Sequence, residues 1–224
     1  MCGRYTLAGN MVNLEKHFRA KLLGKADPTS FNIAPTQQAP IIMNTHPEVI
    51  QMETWGLVPY WTKPNEKPRL LFNSRSDTLL NKSSFRGYLQ HKRCLIPASG
   101  FYEWKAEGKV KQPYYIHLKN QEYFAFAGIW EIYANANAEV IHTYSIITTE
   151  PNSLIGEIHD RMPVIIDREH SLDWLNEQDI RCLSTLMIPF EPSKMEVYPV
   201  SSVVNSPLSN NPKLIEKVET GRLF

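Results

Sequence analysis

Six short runs rich in β-branched and aromatic residues constrain this chain most: residues 39–43, 49–54, 93–97, 113–118, 123–130 and 140–148. Such side chains suit a pleated, packed surface. Turn residues such as Glu107-Gly108 separate the runs, and helices do not alternate with them regularly, which argues against a doubly wound parallel sheet. The expected class is α+β: a single domain over residues 1–224, built around a barrel-like antiparallel β-sheet with flanking short helices. A chain of 224 residues can bury a sizeable core in that form. A first helix is expected over residues 11–22, where Met11, Leu14, Phe18 and Leu22 recur at helical spacing behind Asn10 as N-cap. Short helices are also expected at residues 84–91, 151–158, 168–175 and 178–186, with Pro151 in a first turn. The tail from Ser201 reads as polar and irregular.

No stretch approaches the roughly 18 apolar residues of a membrane span, and no basic, then apolar leader opens the chain. The cysteines at 2, 94 and 182 are scattered and form no CxxC pair. A soluble protein of a reducing compartment, without a disulfide framework, is expected. The net charge of +1 hides an uneven distribution: residues 62–119 carry 12 Lys and Arg against 4 Asp and Glu. A basic segment interleaved with Trp, Tyr and Phe suits an anionic, stackable ligand, though a solvated basic face has the same composition. Within it, Pro64-Asn65-Glu66-Lys67-Pro68 reads as an exposed loop, either an insertion or a ligand contact.

Cys2 directly follows Met1. Removal of Met1 would leave a cysteine with a free α-amine (ordinary pKa near ~8) beside its thiol (near ~8.5), so both would be partly nucleophilic at neutral pH. The amine condenses with an aldehyde to an imine, and the thiol can then close a five-membered thiazolidine. The same pair also suits an N-terminal nucleophile hydrolase, with the amine as base for the thiol. Glu103 lies among aromatics in Gly100-Phe101-Tyr102-Glu103-Trp104. Desolvation there would raise its pKa and suit it to proton transfer, unless it is a surface glutamate beside core aromatics. His159 could act as an acid, a hydrogen-bond donor, a metal ligand or a structural residue. No zinc-ligand spacing and no phosphate-binding glycine motif is present.

Taken together, several ordered segments resemble the SOS response-associated peptidase family, also called abasic-site processing proteins. They are Cys2-Gly3-Arg4-Tyr5, Phe31-Asn32-Ile33-Ala34-Pro35 and Trp55-Gly56-Leu57-Val58-Pro59-Tyr60-Trp61. Asn73-Ser74-Arg75, Phe101-Tyr102-Glu103-Trp104-Lys105 and His159-Asp160-Arg161-Met162-Pro163 follow, then Pro199-Val200-Ser201, Val204-Asn205 and Leu214-Ile215. The resemblance implies a barrel-like domain with a basic cleft that shields abasic sites in single-stranded DNA. It implies Cys2 as nucleophile, Asn73 as the active-site amide, Glu103 as acid/base carboxylate and His159 as the site histidine. By the same resemblance Arg4 and Arg75 contact phosphates, Pro35 and Trp61 pack against DNA around the lesion, and Thr148 and Thr149 lie near the DNA backbone. The expected chemistry is a covalent thiazolidine crosslink through Cys2 after loss of Met1, with a lyase side activity on abasic sites. The alternative is a self-processing cysteine peptidase with Cys2 as nucleophile. No cofactor, metal or membrane is implied. The expected partner is abasic single-stranded DNA, met by a monomer in the cytoplasm that joins the nucleoid when bound. Three departures stand out: Asp77 where the family often has Glu, Thr62 where some members have a second Trp, and a longer segment before Asn73.

Overall fold

The computed structural model describes residues 2–25, 27–63, 66–108, 110–134 and 139–219. In chain order its first elements are β1 (Arg4–Leu7), α1 (Met11–Phe18), β2 (Lys21–Leu22), β3 (Ser30–Ile33), β4 (Gln38–Met43), β5 (Val49–Trp55) and β6 (Asn73–Arg75). Next come α2 (Ser76–Asn81), α3 (Ser83–His91), β7 (Arg93–Ala98), β8 (Gly100–Glu107), β9 (Val110–Leu118), β10 (Phe124–Ala134) and β11 (Val140–Thr149). The last are β12 (Met162–Pro163), β13 (Ile165–Ile166), α4 (Ser171–Asn176), α5 (Ile180–Leu186) and β14 (Met195–Pro199).

Five strands close into a barrel. The ladder runs β5-β4-β7-β10-β11, and β11 returns to β5 through Thr143↔Thr54 and Tyr144↔Trp55. Closure removes the sheet edges that would otherwise need covering. All six residues of β7 and the first eight of β10 are buried, as in strands covered on both faces. Inside, Tyr5 meets Trp55 and Phe126 edge-on, with ring centroids 5.2 and 5.6 Å apart. Buried Arg93 donates to the carbonyls of Leu89, Gln90, Trp174, Leu175 and Glu177. It thereby satisfies acceptors left open where α3 and α4 end. The expected α+β, barrel-based fold is observed, with two additions. The β5–β11 closure is parallel, and so is the pairing of β6 with β11.

A second, antiparallel sheet, ordered β14-β9-β8-β1-β3, lies beside the barrel. The β8–β9 hairpin turns at Gly108, whose φ of 62° favours glycine. Gly100 opens β8 because a Cβ there would sit 2.3 Å from the Tyr115 ring. Tyr102, Tyr115, Val200, Val204 and Leu214 form a second apolar cluster on this sheet.

Two sequence expectations need correction. The helix expected over residues 11–22 stops at Phe18, because Arg19 turns left-handed at φ 52°. Lys21 and Leu22 then join β5 as a parallel strand. The helix expected at residues 151–158 shrinks to one 3-10 turn, Ile155–Glu157. There the Asn152 side chain accepts from Leu154 and Ile155 N–H and stops the turn early. The tail beyond Ser201 is irregular, as expected, with only short 3-10 turns, and it is docked: Val204 and Leu214 are buried, and the Tyr198 hydroxyl donates to the Ile215 carbonyl. No helix among the described residues is long and apolar enough to cross a membrane.

Candidate active site

The register of β1 creates the site. It pairs with β8 only from Arg4↔Tyr102 to Thr6↔Gly100. Cys2 and Gly3 therefore lie outside this ladder, and among the described residues the edge of β8 from Glu103 onward carries no partner strand on that side. Cys2, fully buried, lies at this point. Its Sγ is 3.9 Å from the Arg4 carbonyl. Asn73, held at the start of β6 opposite Ile146 of β11, donates from Nδ2 to the Cys2 carbonyl at 2.9 Å. The Oδ1 of Asn73 is buried with no hydrogen-bond partner among the described residues. The amide thus fixes the main chain of Cys2 and keeps a buried acceptor beside it.

Glu103 is buried in β8, and burial pushes its carboxyl up to about 7 against the opposing N-terminal positive charge. Burial, reinforced by the Glu103 charge, also pushes the Cys2 thiol up. An isolated aminothiol would be partly thiolate at neutral pH, but this sulfur is held as a neutral thiol. The Nε2 of His159 stands 4.0 Å from Glu103 Oε2. Its Nδ1 stands 3.0 Å from the Arg161 amide nitrogen and 3.2 Å from the Arg161 carbonyl oxygen; the amide donates to it when the ring is neutral and protonated on Nε2. Asp160 lies 2.9 Å from that Nδ1 but is 87 % exposed, and burial lowers the His159 pKa, in keeping with the neutral ring. Glu103, His159, Trp104, Lys111 and Asn205 line an open pocket of about 420 Å³. The Trp104 indole is fixed by a 2.8 Å bond to Asn205 Oδ1.

The C-terminal end of β11 gathers two distant segments. Ile146 faces Asn73, Thr148 faces both Arg75 and Pro163, and Thr149 faces Met162. Arg75 is exposed and paired with Asp77 at 2.7 Å, so the shorter carboxylate still reaches it. Arg161 donates to the Thr148 carbonyl at 2.6 Å, while its Nε is buried without a partner among the described residues. Burial, then the Arg75 charge, lowers the Arg161 pKa. The charges of Asp77, Asp160 and Glu150 oppose that shift, so this corner already holds carboxylates beside its guanidiniums. Thr148 and Thr149 are buried, so they support this corner from beneath instead of lining its surface. Arg4 donates to Asn32 Oδ1 at 2.8 Å and to the carbonyls of Val204 and Asn205 at 2.7 and 3.1 Å, so much of its donor capacity ties down the tail.

The sequence candidates thus divide. Cys2, Asn73, Glu103 and His159 come together, and Arg75 stands nearby on β6. Trp61 belongs to another patch: it is 47 % exposed and packs edge-on against Tyr60 and Phe85. Pro35 sits in the turn before β4, half-buried. Trp104, Lys111, Arg161 and Asn205 were not singled out as site residues, although Trp104, Arg161 and Asn205 lie inside quoted motifs. Lys111 carried no signal beyond the basic segment. Met1, whose loss was expected, and Pro64-Asn65 of the proline-bounded loop lie outside the described residues. Among the described residues, no three His, Cys, Asp or Glu side chains are grouped as metal ligands would be.

The family model described as "SOS response associated peptidase (SRAP)" matches residues 1–207. The chain is 42% identical over 223 residues to abasic site processing protein YoqW of Bacillus subtilis, covering 96% of this chain and 99% of that one. It is 30% identical to abasic site processing protein HMCES of Gallus gallus, covering 86% of this chain and 67% of that one. A crystal structure of a Bacteroides thetaiotaomicron protein superposes with a TM-score of 0.87 at 28% identity, covering 97% and 100% of the two chains.

Proposed function

We propose that this chain, which belongs to the SOS response associated peptidase (SRAP) family, processes abasic sites in DNA by forming a covalent bond through Cys2. The observation that carries this reading is the convergence of Asn73 and Glu103 on Cys2 at the open edge of β8. Removal of Met1 would turn the Cys2 amide nitrogen into an amine. That amine attacks the C1′ aldehyde of the ring-opened sugar to give a carbinolamine. Glu103, with a pKa near neutrality, can donate the proton that lets water leave and later take one back. The thiol then adds across the C=N bond, its sulfur going to C1′ and its proton to nitrogen. The product is a thiazolidine, and one water is lost overall. A raised thiol pKa fits addition to an imine activated by proton transfer. It weighs against a peptidase that needs a standing thiolate.

Single-stranded DNA is the favoured substrate. An abasic nucleotide has no base to unstack, so a flexible strand can deliver it to a shallow pocket cheaply. Arg75 and Arg161 offer charge to flanking phosphates. The imine stage also permits β-elimination, which gives lyase activity. Replacing Cys2 by Ala with Met1 removed tests the division of labour. The amine survives, so a borohydride-trappable imine and some strand cleavage should remain, while the heat-stable adduct disappears. Full retention of the heat-stable adduct by Cys2→Ala would assign the bond to another residue.

A further inference from the structure

The pocket at the open edge of β8 joins the buried carboxyl of Glu103 and the ring of His159 to one cation, Lys111 of β9. Lys111 stands across the hairpin from Ala106, two residues beyond the span of β8 that the pocket borders. Its ammonium forms no ion pair with a described residue, whereas Lys21, Lys63 and Lys92 are each engaged by a glutamate. Trp104 and Asn205 complete the wall, locked to one another by the indole hydrogen bond. The result is an open recess that holds a buried carboxyl and one cation with no ion pair among the described residues.

We propose that Lys111 holds the phosphate on the 3′ side of the lesion. This rests on the reading that the site reacts with an abasic sugar. In the ring-opened sugar the 3′-phosphorus is four bonds from C1′ and the 5′-phosphorus is six. With C1′ bonded to the Cys2 nitrogen, a recess bordering Glu103 and His159 accommodates the nearer phosphate. In β-elimination the C2′ proton passes to the Glu103 carboxylate, and its electron pair forms the new carbon–carbon double bond toward C3′. The C3′–O bond then breaks with its pair leaving on the phosphate oxygen. A cation at that phosphate stabilises the charge developing on the leaving group. Lys111 therefore acts on strand cleavage more than on amine attack.

The test compares wild type with K111Q and K111R on one abasic single-stranded oligonucleotide, following both adduct formation and strand cleavage. For K111Q the ratio of the cleavage rate to the adduct-formation rate should fall on the order of tenfold, the size of one charge-assisted hydrogen bond. K111R should restore the ratio to within about twofold, since it keeps the charge. The dependence of binding on salt should also lose about one phosphate's worth of slope in K111Q. A general structural role would slow both reactions alike and leave the ratio unchanged, and that result would overturn the assignment. Wild type serves as the control for the underlying reading: if it forms no adduct, the reading of the site fails, whereas a normal wild type with an unchanged K111Q ratio sinks only the role of Lys111.

Discussion

Glu103 is the residue on which burial and chemistry bear most directly. Its carboxyl is raised from the ordinary range to about 7 because the folded site cannot solvate its charge. Between an unfolded pKa near ~4.3 and the folded value, the native state holds more protons than the unfolded state, so stability falls as pH rises through that window. The neutral isostere Glu103→Gln should therefore stabilise the protein at pH 8, by up to about 3 kcal/mol, with little gain at pH 4. Denaturant titrations at both pH values check this; an equal effect at both would mean the carboxyl titrates normally. The same variant should flatten the pH dependence of adduct formation between about pH 6 and 8 and slow the reaction, because proton transfer is lost while side-chain size is kept. In the proposed mechanism the proton-transfer group is thus one that weakens the fold at working pH.

At the scale of elements, the site depends on two edges and one strap. β1 stops pairing at Arg4, which leaves β8 open from Glu103 onward. The C-terminal segment then crosses the second sheet: Arg4 and Asn32 hold its carbonyls, and Leu214 is buried among Tyr102, Tyr115, Val200 and Val204. Leu214→Ala should cost about 2–4 kcal/mol by the usual cavity penalty, read as a lower urea midpoint. An unchanged midpoint would mean the strap is not part of the cooperative fold. This strap was illegible in the sequence, where residues beyond Ser201 look polar and loop-like, because a few anchors spaced far apart leave no periodic signal. The helix at residues 11–22 misled for the opposite reason. Leu22 fits the helical stripe, but a left-handed Arg19 and pairing with β5 override it. The six apolar runs, by contrast, each became a strand, five in the barrel and one (β9) in the second sheet, because β-branched and aromatic content is a local property that both sheets use directly.

At the scale of the whole molecule, the barrel brings together segments far apart in sequence: the N-terminus, β6, β8 and the loop carrying His159. The aminothiol at Cys2 and the aromatic setting of Glu103 could be read from sequence chemistry, and the family resemblance supplied Asn73 and His159. What could not be read was the orientation of the arginines. Arg4 ties down the tail, and Arg161, uncommitted at Nε, faces the corner near Arg75, because only the folded β11 end brings those residues together. The uneven charge of residues 62–119 is consistent with a surface that tracks a phosphate backbone. The most direct measurement of the central claim is intact mass, with peptide mapping, after mixing the protein with an abasic oligonucleotide, single-stranded in one arm and in a blunt duplex in the other. The account predicts a species equal to the protein without Met1 plus the oligonucleotide minus one water, mapped to Cys2, and formed much faster with the single strand. Absence of the adduct, retention of Met1 in the reacted protein, or attachment at any other residue would contradict it.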